Sequence, residues 1–140
     1  MLGQLALGLK CPVRSISPIK WPWDTQEDMA KIADAAGKLI GLELGIRREH
    51  IDISFDYIGA GYGALSGGGC EAIALVARTE GILLDPSYTG KAMAGLVDDV
   101  RGGRWNAGQK VVFVHTGGTP ALFAFSEGLV EKIAPRRLAP

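Results

Sequence analysis

The sequence has few of the residues that usually carry metal and nucleophilic chemistry. It contains two cysteines and two histidines in 140 residues. Cys11 and Cys70 stand far apart, match no metal-ligand spacing and occur in a chain with no sign of secretion, so we expect neither a metal site nor a disulfide. His50 and His115 are poor candidates for catalysis. We interpret His115 as a hydrogen-bonding residue at a strand end.

The chain also lacks an excess of charge and a long apolar run. Fifteen basic and fifteen acidic residues are interspersed, and no basic stripe with interleaved aromatics is present, which argues against a nucleic-acid partner. The apolar residues 1–13 are too few to span a bilayer and have no basic start. We therefore expect a cytoplasmic protein without a membrane partner, with residues 1–140 forming a single domain.

Residues 80–125 contain two apolar runs, each followed by a polar turn and a helical pattern. The run 82–84 ends at Asp85, and residues 88–90 open a helix that stops at Gly102. The run 110–114 ends at residues 115–120, before another short helix. This order predicts an α/β fold with an open, mostly parallel sheet and helices on both faces. Ligands would then bind at the carboxyl ends of the strands.

Other segments complete this prediction. We expect strands near 12–17, 52–58, 81–84 and 110–115. We expect one helix to begin at Asp24 or Thr25 and another to cover Cys70–Thr79. The helical patterns place apolar faces on the first of these helices and on the helix after Tyr88. The expected faces are Met29, Ile32, Ala33, Ala36, Leu39 and Ile40 on the first, and Met93, Leu96, Val97 and Val100 on the second.

Two long motifs carry a family resemblance. DPSYTGKAMAGL, residues 85–96, and VFVHTGGTPALFAF, residues 112–125, resemble the C-terminal part of the D-cysteine desulfhydrase and 1-aminocyclopropane-1-carboxylate (ACC) deaminase family. Those proteins are pyridoxal-phosphate enzymes with the tryptophan-synthase-β type of fold. The resemblance extends over nearly the whole chain and implies pyridoxal 5'-phosphate as cofactor, a small amino acid as substrate and a homodimer.

The resemblance also implies roles for individual residues. Tyr88 matches a tyrosine that faces the cofactor, and Tyr62 matches one that lines the active site, so both are candidate catalytic residues. Thr116 would lie against the pyridine nitrogen, with Thr89 beside it. Gly117 and Gly118 would allow close backbone approach to the cofactor. From the residues alone, Tyr62 is better interpreted as a tyrosine packed over a loop, Tyr88 could equally be a turn tyrosine bonded to backbone, and each threonine could be a helix cap.

The two threonines bear on the reaction. In the ACC deaminases the position of Thr89 is Glu, and the position of Thr116 is Leu. A carboxylate beside the pyridine nitrogen makes the ring a stronger electron sink than a neutral hydroxyl does. The threonines therefore favour the desulfhydrase branch, in which β-elimination gives sulfide, ammonia and pyruvate. An ACC deaminase-like enzyme and a cysteate-type lyase are the alternatives, and a non-catalytic remnant or partner subunit is an alternative of another class.

Parts of the family pattern are absent from this chain. The family's Schiff-base lysine lies in an N-terminal half that the chain lacks, and Lys91 matches a different family lysine, which we interpret as a solvated helix residue. The resemblance thus implies the C-terminal portion of a longer enzyme, inactive alone and complemented by a separate N-terminal half. Residues 59–64 fit a loose dinucleotide fingerprint, but the next helix starts too late for that function.

Overall fold

The computed structural model describes residues 2–133. Contacts divide them into two compact units, one formed by the residues up to Ser15 together with Lys20–Ser54, the other by Ile16–Ile19 and the residues from Phe55 onward. The elements are α1 (Leu2–Ala6), β1 (Arg14–Ile16), α2 (Thr25–Leu39), a 3-10 turn (Arg48–His50), β2 (Asp52–Ser54), α3 (Gly67–Glu80), α4 (Thr89–Arg101), α5 (Ala121–Ala124) and α6 (Ser126–Ile133).

The first unit is built around α2. Of the two expected caps, Asp24 is the one that caps this helix, because its carboxylate accepts a hydrogen bond from the Glu27 N–H at 3.1 Å. The expected apolar face is only partly correct, since Ile32 is exposed and the helix buries small residues instead. Gly37 allows close packing against Leu42, because a Cβ at this position would lie only 3.2 Å from the Leu42 carbonyl oxygen. The core consists of Ala30, Ile46 and Ile51, with Leu2, Met29, Ala33, Leu44 and Ile53 packed against them.

Two of the four expected strands form a hydrogen-bonded pair. β1 and β2 lie within the expected ranges 12–17 and 52–58 and make a two-stranded sheet. The expectation of strands at 81–84 and 110–115 is wrong for the described residues, where neither segment joins a ladder. Val112 and Val114 are 85% and 72% exposed. A strand requires a hydrogen-bonded neighbour, and within residues 2–133 none pairs with these segments.

The second unit is built on the packing of α3 against α4. Ser66 caps α3 by accepting a hydrogen bond from the Gly69 N–H at 3.1 Å, so the helix begins three residues earlier than expected. Glycines allow the two helices to approach closely. A Cβ at Gly90 would lie only 2.9 Å from the Ile73 side chain. The core contains Cys70, Ile73, Val76, Leu84 and Leu129, with Leu65, Met93, Phe113, Leu122 and Ile133 packed against them.

The buried side of α4 differs from the expected one. Its bounds agree with the prediction, and Met93 does pack against the core. Val100, however, is exposed, and the buried residues are Thr89, Gly90, Lys91, Ala94 and Gly95. The interpretation of Lys91 as a solvated residue is wrong, because its exposed fraction is 0%. Small neighbours leave room on this face for the long lysine side chain.

Candidate functional site

The candidate site starts from a tight turn around the buried Asp85. One carboxylate oxygen, Oδ2, accepts hydrogen bonds from the backbone N–H groups of Ser87 and Tyr88 at 2.7 and 2.8 Å. The other, Oδ1, accepts from both the N–H and the hydroxyl of Thr89, each at 2.7 Å. The Thr89 hydroxyl oxygen in turn accepts from the Asp85 N–H at 2.8 Å. This closed set of bonds fixes the backbone that carries Tyr88.

The hydrogen bonds also determine the charge of Asp85. Burial raises the pKa of this carboxyl, but the bonds donated by Thr89, Tyr88 and Ser87 together outweigh burial and leave the pKa below its ordinary value. A carboxylate that accepts several N–H bonds is stabilised in its ionised form. The turn therefore contains a buried negative charge.

The glycine loop after residue 115 packs directly on this turn. An ideal Cβ at Gly118 would lie 2.6 Å from the Asp85 Cγ, and Gly118 has a φ of +88°, so only glycine fits without strain. His115 attaches the same loop to the preceding segment. Its Nδ1 accepts from the Gly117 N–H at 3.2 Å, so its Nε2 donates to the Leu83 carbonyl at 3.0 Å. The structure confirms His115 as a hydrogen-bonding residue.

A second loop is hydrogen-bonded to Lys91 of α4. It runs from Ile58 to Gly63 and carries Tyr62. The ammonium of Lys91 donates to the carbonyl oxygens of Ile58 and Gly61 at 2.7 and 2.8 Å. Burial lowers the pKa of Lys91, and the nearby charge of Asp85 opposes this shift. One buried cation thus binds the loop that carries Tyr62.

The two loops bring Tyr62 and Tyr88 together. The hydroxyl groups, 26 residues apart in sequence, are hydrogen-bonded to each other. The rings meet edge to face, with centroids 5.8 Å apart and planes inclined by 65°. The side chains are 55% and 41% exposed, so both can contact a ligand. The hydrogen bond to Tyr88 is the largest of the effects that raise the pKa of Tyr62.

The structure thus places the six candidate residues from the sequence in different settings. Tyr62 and Tyr88 form a pair, and Thr116 is exposed two residues from the Gly118–Asp85 contact. A Cβ at Gly117 would meet nothing within 4 Å, so the space beside it is open. Thr89 is buried and its hydroxyl is bonded to Asp85. The assigned roles in catalysis and cofactor binding stay predictions.

Sequence reasoning missed Asp85 and Lys91. The signal for Asp85 was present, because an Asp before Pro and Ser is typical of a turn closed by the Asp side chain. For Lys91 the available signal was its position three and four residues before Ala94 and Gly95, on the same face of α4. The apolar periodicity of the helix did not reveal this face, because periodicity was assessed from the large apolar side chains and not from the small ones.

Residues 2–133 contain neither a candidate membrane span nor a candidate metal site. None of the helices in this range is long and apolar enough to cross a membrane. No group of three or more His, Cys, Asp or Glu residues in the described part of the chain could hold a metal ion.

Comparison with known proteins identifies the class and then a relative. Residues 20–117 match the family described as pyridoxal-phosphate dependent enzyme. The chain belongs to this family. A solved structure described as the crystal structure of an ACC deaminase homologue is similar, with a TM-score of 0.81 and 31% sequence identity.

The extent of that similarity has two consequences. The alignment covers 94% of this chain but 38% of the homologue, so the chain spans well under half the length of that protein. The likeness confirms the α/β fold of the tryptophan-synthase-β type, with pyridoxal phosphate as the cofactor of the family.

Proposed function

We propose that this chain contributes the substrate-facing part of a pyridoxal-phosphate-dependent carbon–sulfur lyase of the D-cysteine desulfhydrase type. The observation that carries the proposal is the Tyr62–Tyr88 pair, which is exposed and joined through the hydroxyl groups. Two phenols in contact can hold and transfer a proton beside an amino-acid substrate. The substrate would be a small sulfur-containing amino acid, with sulfide, ammonia and pyruvate as products.

Some of the described residues fit the ring side of the cofactor. The Thr116 side chain is exposed, and the open space beside Gly117 permits a ligand to approach the backbone. We assign Thr116, Gly117 and Gly118 to the cofactor-binding loop. Thr116 and Gly117 would contact the cofactor, and Gly118 supports the loop by packing on Asp85. Bound pyridoxal phosphate would supply an electron-withdrawing ring that makes the substrate Cα proton acidic.

Lys91 does not fit the role of Schiff-base lysine. Its ammonium is buried and bonded to the carbonyls of Ile58 and Gly61. The reactive lysine would therefore come from another segment or another chain. We propose that the 140 residues alone do not turn over substrate, and that a separate N-terminal half or a longer polypeptide completes the enzyme. A homodimer of the completed enzyme and a cytoplasmic location are part of this proposal.

The two tyrosines of the pair have different roles in the proposed reaction. The hydrogen bond to Tyr88 raises the pKa of Tyr62, so the bond favours the neutral form of Tyr62, and either hydroxyl can be its donor. Tyr62 would therefore keep its proton at neutral pH. When Tyr62 donates in this bond, Tyr88 can direct its own hydroxyl proton towards the substrate. We assign the direct proton transfer to Tyr88 and the support of that group to Tyr62.

The setting of Thr89 supports the desulfhydrase branch. Its hydroxyl is bonded to Asp85, and its side chain is buried. The position consequently offers no carboxylate to the pyridine nitrogen, and Gly118 covers the carboxylate of Asp85. β-Elimination of a good sulfur leaving group needs less charge in the ring than opening of a cyclopropane does. An ACC deaminase-like activity and a cysteate-type lyase are the alternatives.

The proposal is tested by completing the enzyme. The chain would be co-expressed with the part of the ACC deaminase homologue that it does not cover, loaded with pyridoxal phosphate and assayed for pyruvate from D-cysteine, L-cysteine and cysteate. We expect pyruvate from D-cysteine, and a loss of about 10²- to 10⁴-fold in Tyr88→Phe, the range for removal of a general acid–base. Lys110→Met, which removes an exposed lysine, is the control. A loaded complex that processes none of the three substrates would overturn the lyase assignment.

A non-catalytic partner subunit is the second candidate function. The buried Lys91 ammonium favours it, because it is bonded to two backbone carbonyls and so is not a free amine beside the tyrosines. Cofactor would be added to the isolated chain, followed by borohydride and mass spectrometry. An unmodified chain that still associates with an N-terminal half, without any turnover, would support this candidate over the lyase.

A further inference from the structure

We infer that Lys91 is a positioning residue that fixes the Tyr62 loop so that the Tyr62 hydroxyl meets Tyr88. Its relevance to catalysis rests on the proposed function, whereas its effect on the loop does not. Lys91 itself touches no reacting atom, since both of its hydrogen bonds go to backbone carbonyls of the loop. It acts through Tyr62.

The contacts of Lys91 bracket the stretch that leads to Tyr62. The Ile58 carbonyl lies before the glycine-rich stretch, and the Gly61 carbonyl belongs to the peptide bond that leads into Tyr62. The two bonds are 2.7 and 2.8 Å long and connect residues 33 and 30 positions apart in sequence. Two donors on one atom therefore fix both the start of the loop and the residue next to Tyr62.

The loop needs such an external anchor. Gly61 and Gly63, on either side of Tyr62, have φ angles of +149° and +72°. Glycine adopts such angles without steric strain, but it loses more conformational entropy on folding than other residues do. The loop also contains few local bonds, of which the Ala64 N–H to Gly61 carbonyl contact at 3.3 Å is one. Without Lys91, the carbonyls of Ile58 and Gly61 lose a charged donor, and Tyr62 loses its fixed direction.

The chemistry of lysine suits this position. The ammonium carries three donors on a long flexible stem, which allows one side chain to bond two carbonyls at once. A buried ammonium is costly unless it is bonded and compensated. Here the carbonyls supply the bonds, and the buried carboxylate of Asp85 compensates the charge. The groups that affect Tyr62 are Tyr88 and Asp85, both of which raise its pKa.

The direction in which the pKa of Tyr62 changes when Lys91 is removed distinguishes loss of the Tyr62–Tyr88 contact from loss of a nearby positive charge. Removal of a nearby positive charge by itself raises the pKa of a phenol, because the phenolate loses a favourable partner. Loss of the Tyr88 hydrogen bond lowers the pKa of Tyr62, because that bond is the largest cause of the present upward shift. A fall in the pKa of Tyr62 after removal of Lys91 therefore reports the lost contact.

The test uses the full chain with 13C-labelled tyrosine, titrated by NMR. Lys91→Met is compared with wild type and with Lys110→Met, which removes an exposed lysine. Tyr62→Phe assigns the signal. We expect the Tyr62 midpoint to fall towards the ordinary tyrosine value of 10.0 in Lys91→Met and to stay unchanged in Lys110→Met. A folded Lys91→Met protein with an unchanged or higher Tyr62 midpoint would overturn the inference.

A second measurement, made on the wild-type chain, tests the inference if the Lys91→Met protein fails to fold. In wild-type chain labelled with 15N-lysine, the Lys91 ammonium protons should exchange slowly and show cross-peaks to Gly61 and Tyr62. Absence of those cross-peaks would overturn the inference. Both measurements use the isolated chain without cofactor. A failed lyase assay with a fallen Tyr62 midpoint would therefore overturn the proposed function and leave the role of Lys91 intact.

Discussion

Two buried charges hold the two tyrosines, and they do so over very different sequence distances. Asp85 binds groups two to four residues ahead of it, within one turn. Lys91 binds a loop that lies 30 and 33 residues before it. The turn around Tyr88 is therefore a local structure, whereas the Tyr62 loop depends on the packing of α4. Local and tertiary interactions together create one pair of phenols.

From this comparison we expect substitution of Asp85 to destabilise the protein more than substitution of Lys91 does. In Asp85→Asn, an amide NH2 must replace one of two oxygens that each accept two hydrogen bonds, and the charge that compensates Lys91 disappears. Breaking a buried charged network by removing one partner costs about 3–5 kcal/mol in unfolding free energy. Urea unfolding measures it. The exposed Asp98→Asn should change by less than about 0.5 kcal/mol, and equal effects of the two variants would refute this account of the turn.

The next effect concerns the loop that covers Asp85. In Gly118→Ala, the new Cβ lies 2.6 Å from the Asp85 Cγ, and the residue must keep a positive φ. We expect a loss of about 2–4 kcal/mol, from overpacking together with the left-handed backbone. Gly117→Ala is a matched control, because its φ is also positive but its Cβ meets nothing within 4 Å. Its loss should be about 1–2 kcal/mol.

The difference between these two alanine variants in urea unfolding isolates the contact with Asp85. If Gly117→Ala proved as destabilising as Gly118→Ala, the loop would not pack on the turn as described.

A smaller effect is expected from acid. The folded-state pKa of Asp85 lies below the ordinary value of 3.8. The stabilisation from the ionised carboxylate is therefore fully present above pH 3.8 and is lost as the pH falls through the folded-state pKa. Other carboxylates contribute as well, so the informative quantity is the difference between wild type and Asp85→Asn. Thermal unfolding should show this difference shrinking as the pH falls below 3.8. A constant difference would contradict the assignment of a buried charge to Asp85.

The sequence predicted the locally determined parts of this molecule well. The Asp24 cap of α2 and the bounds of α4 depend on neighbouring residues, and both were predicted from them. The turn of Tyr88 was also found, through Pro86 and the following helix pattern. These features need information from only a few positions, which is why single-sequence reasoning succeeds on them.

The parts that failed depend on distant partners. Val112 and Val114 have the composition of a buried strand but are exposed and unpaired in residues 2–133. Strand pairing requires a neighbour that the local sequence does not specify. The sequence predicts a solvated Lys91, because charged residues are usually exposed. Its burial depends on two carbonyls in a loop 30 residues away, and on small neighbours along α4.

The central claim is that Tyr62 and Tyr88 form one hydrogen-bonded pair. The most direct test is the NMR titration of 13C-labelled Tyr62 in wild type and in Tyr88→Phe, with the exposed-lysine variant Lys110→Met as control. Because the bond to Tyr88 is the largest cause of the raised pKa of Tyr62, Tyr62 should titrate above 10.0 in wild type and in the control. Its midpoint should fall towards that value in Tyr88→Phe. An identical Tyr62 midpoint in all three proteins would contradict the account.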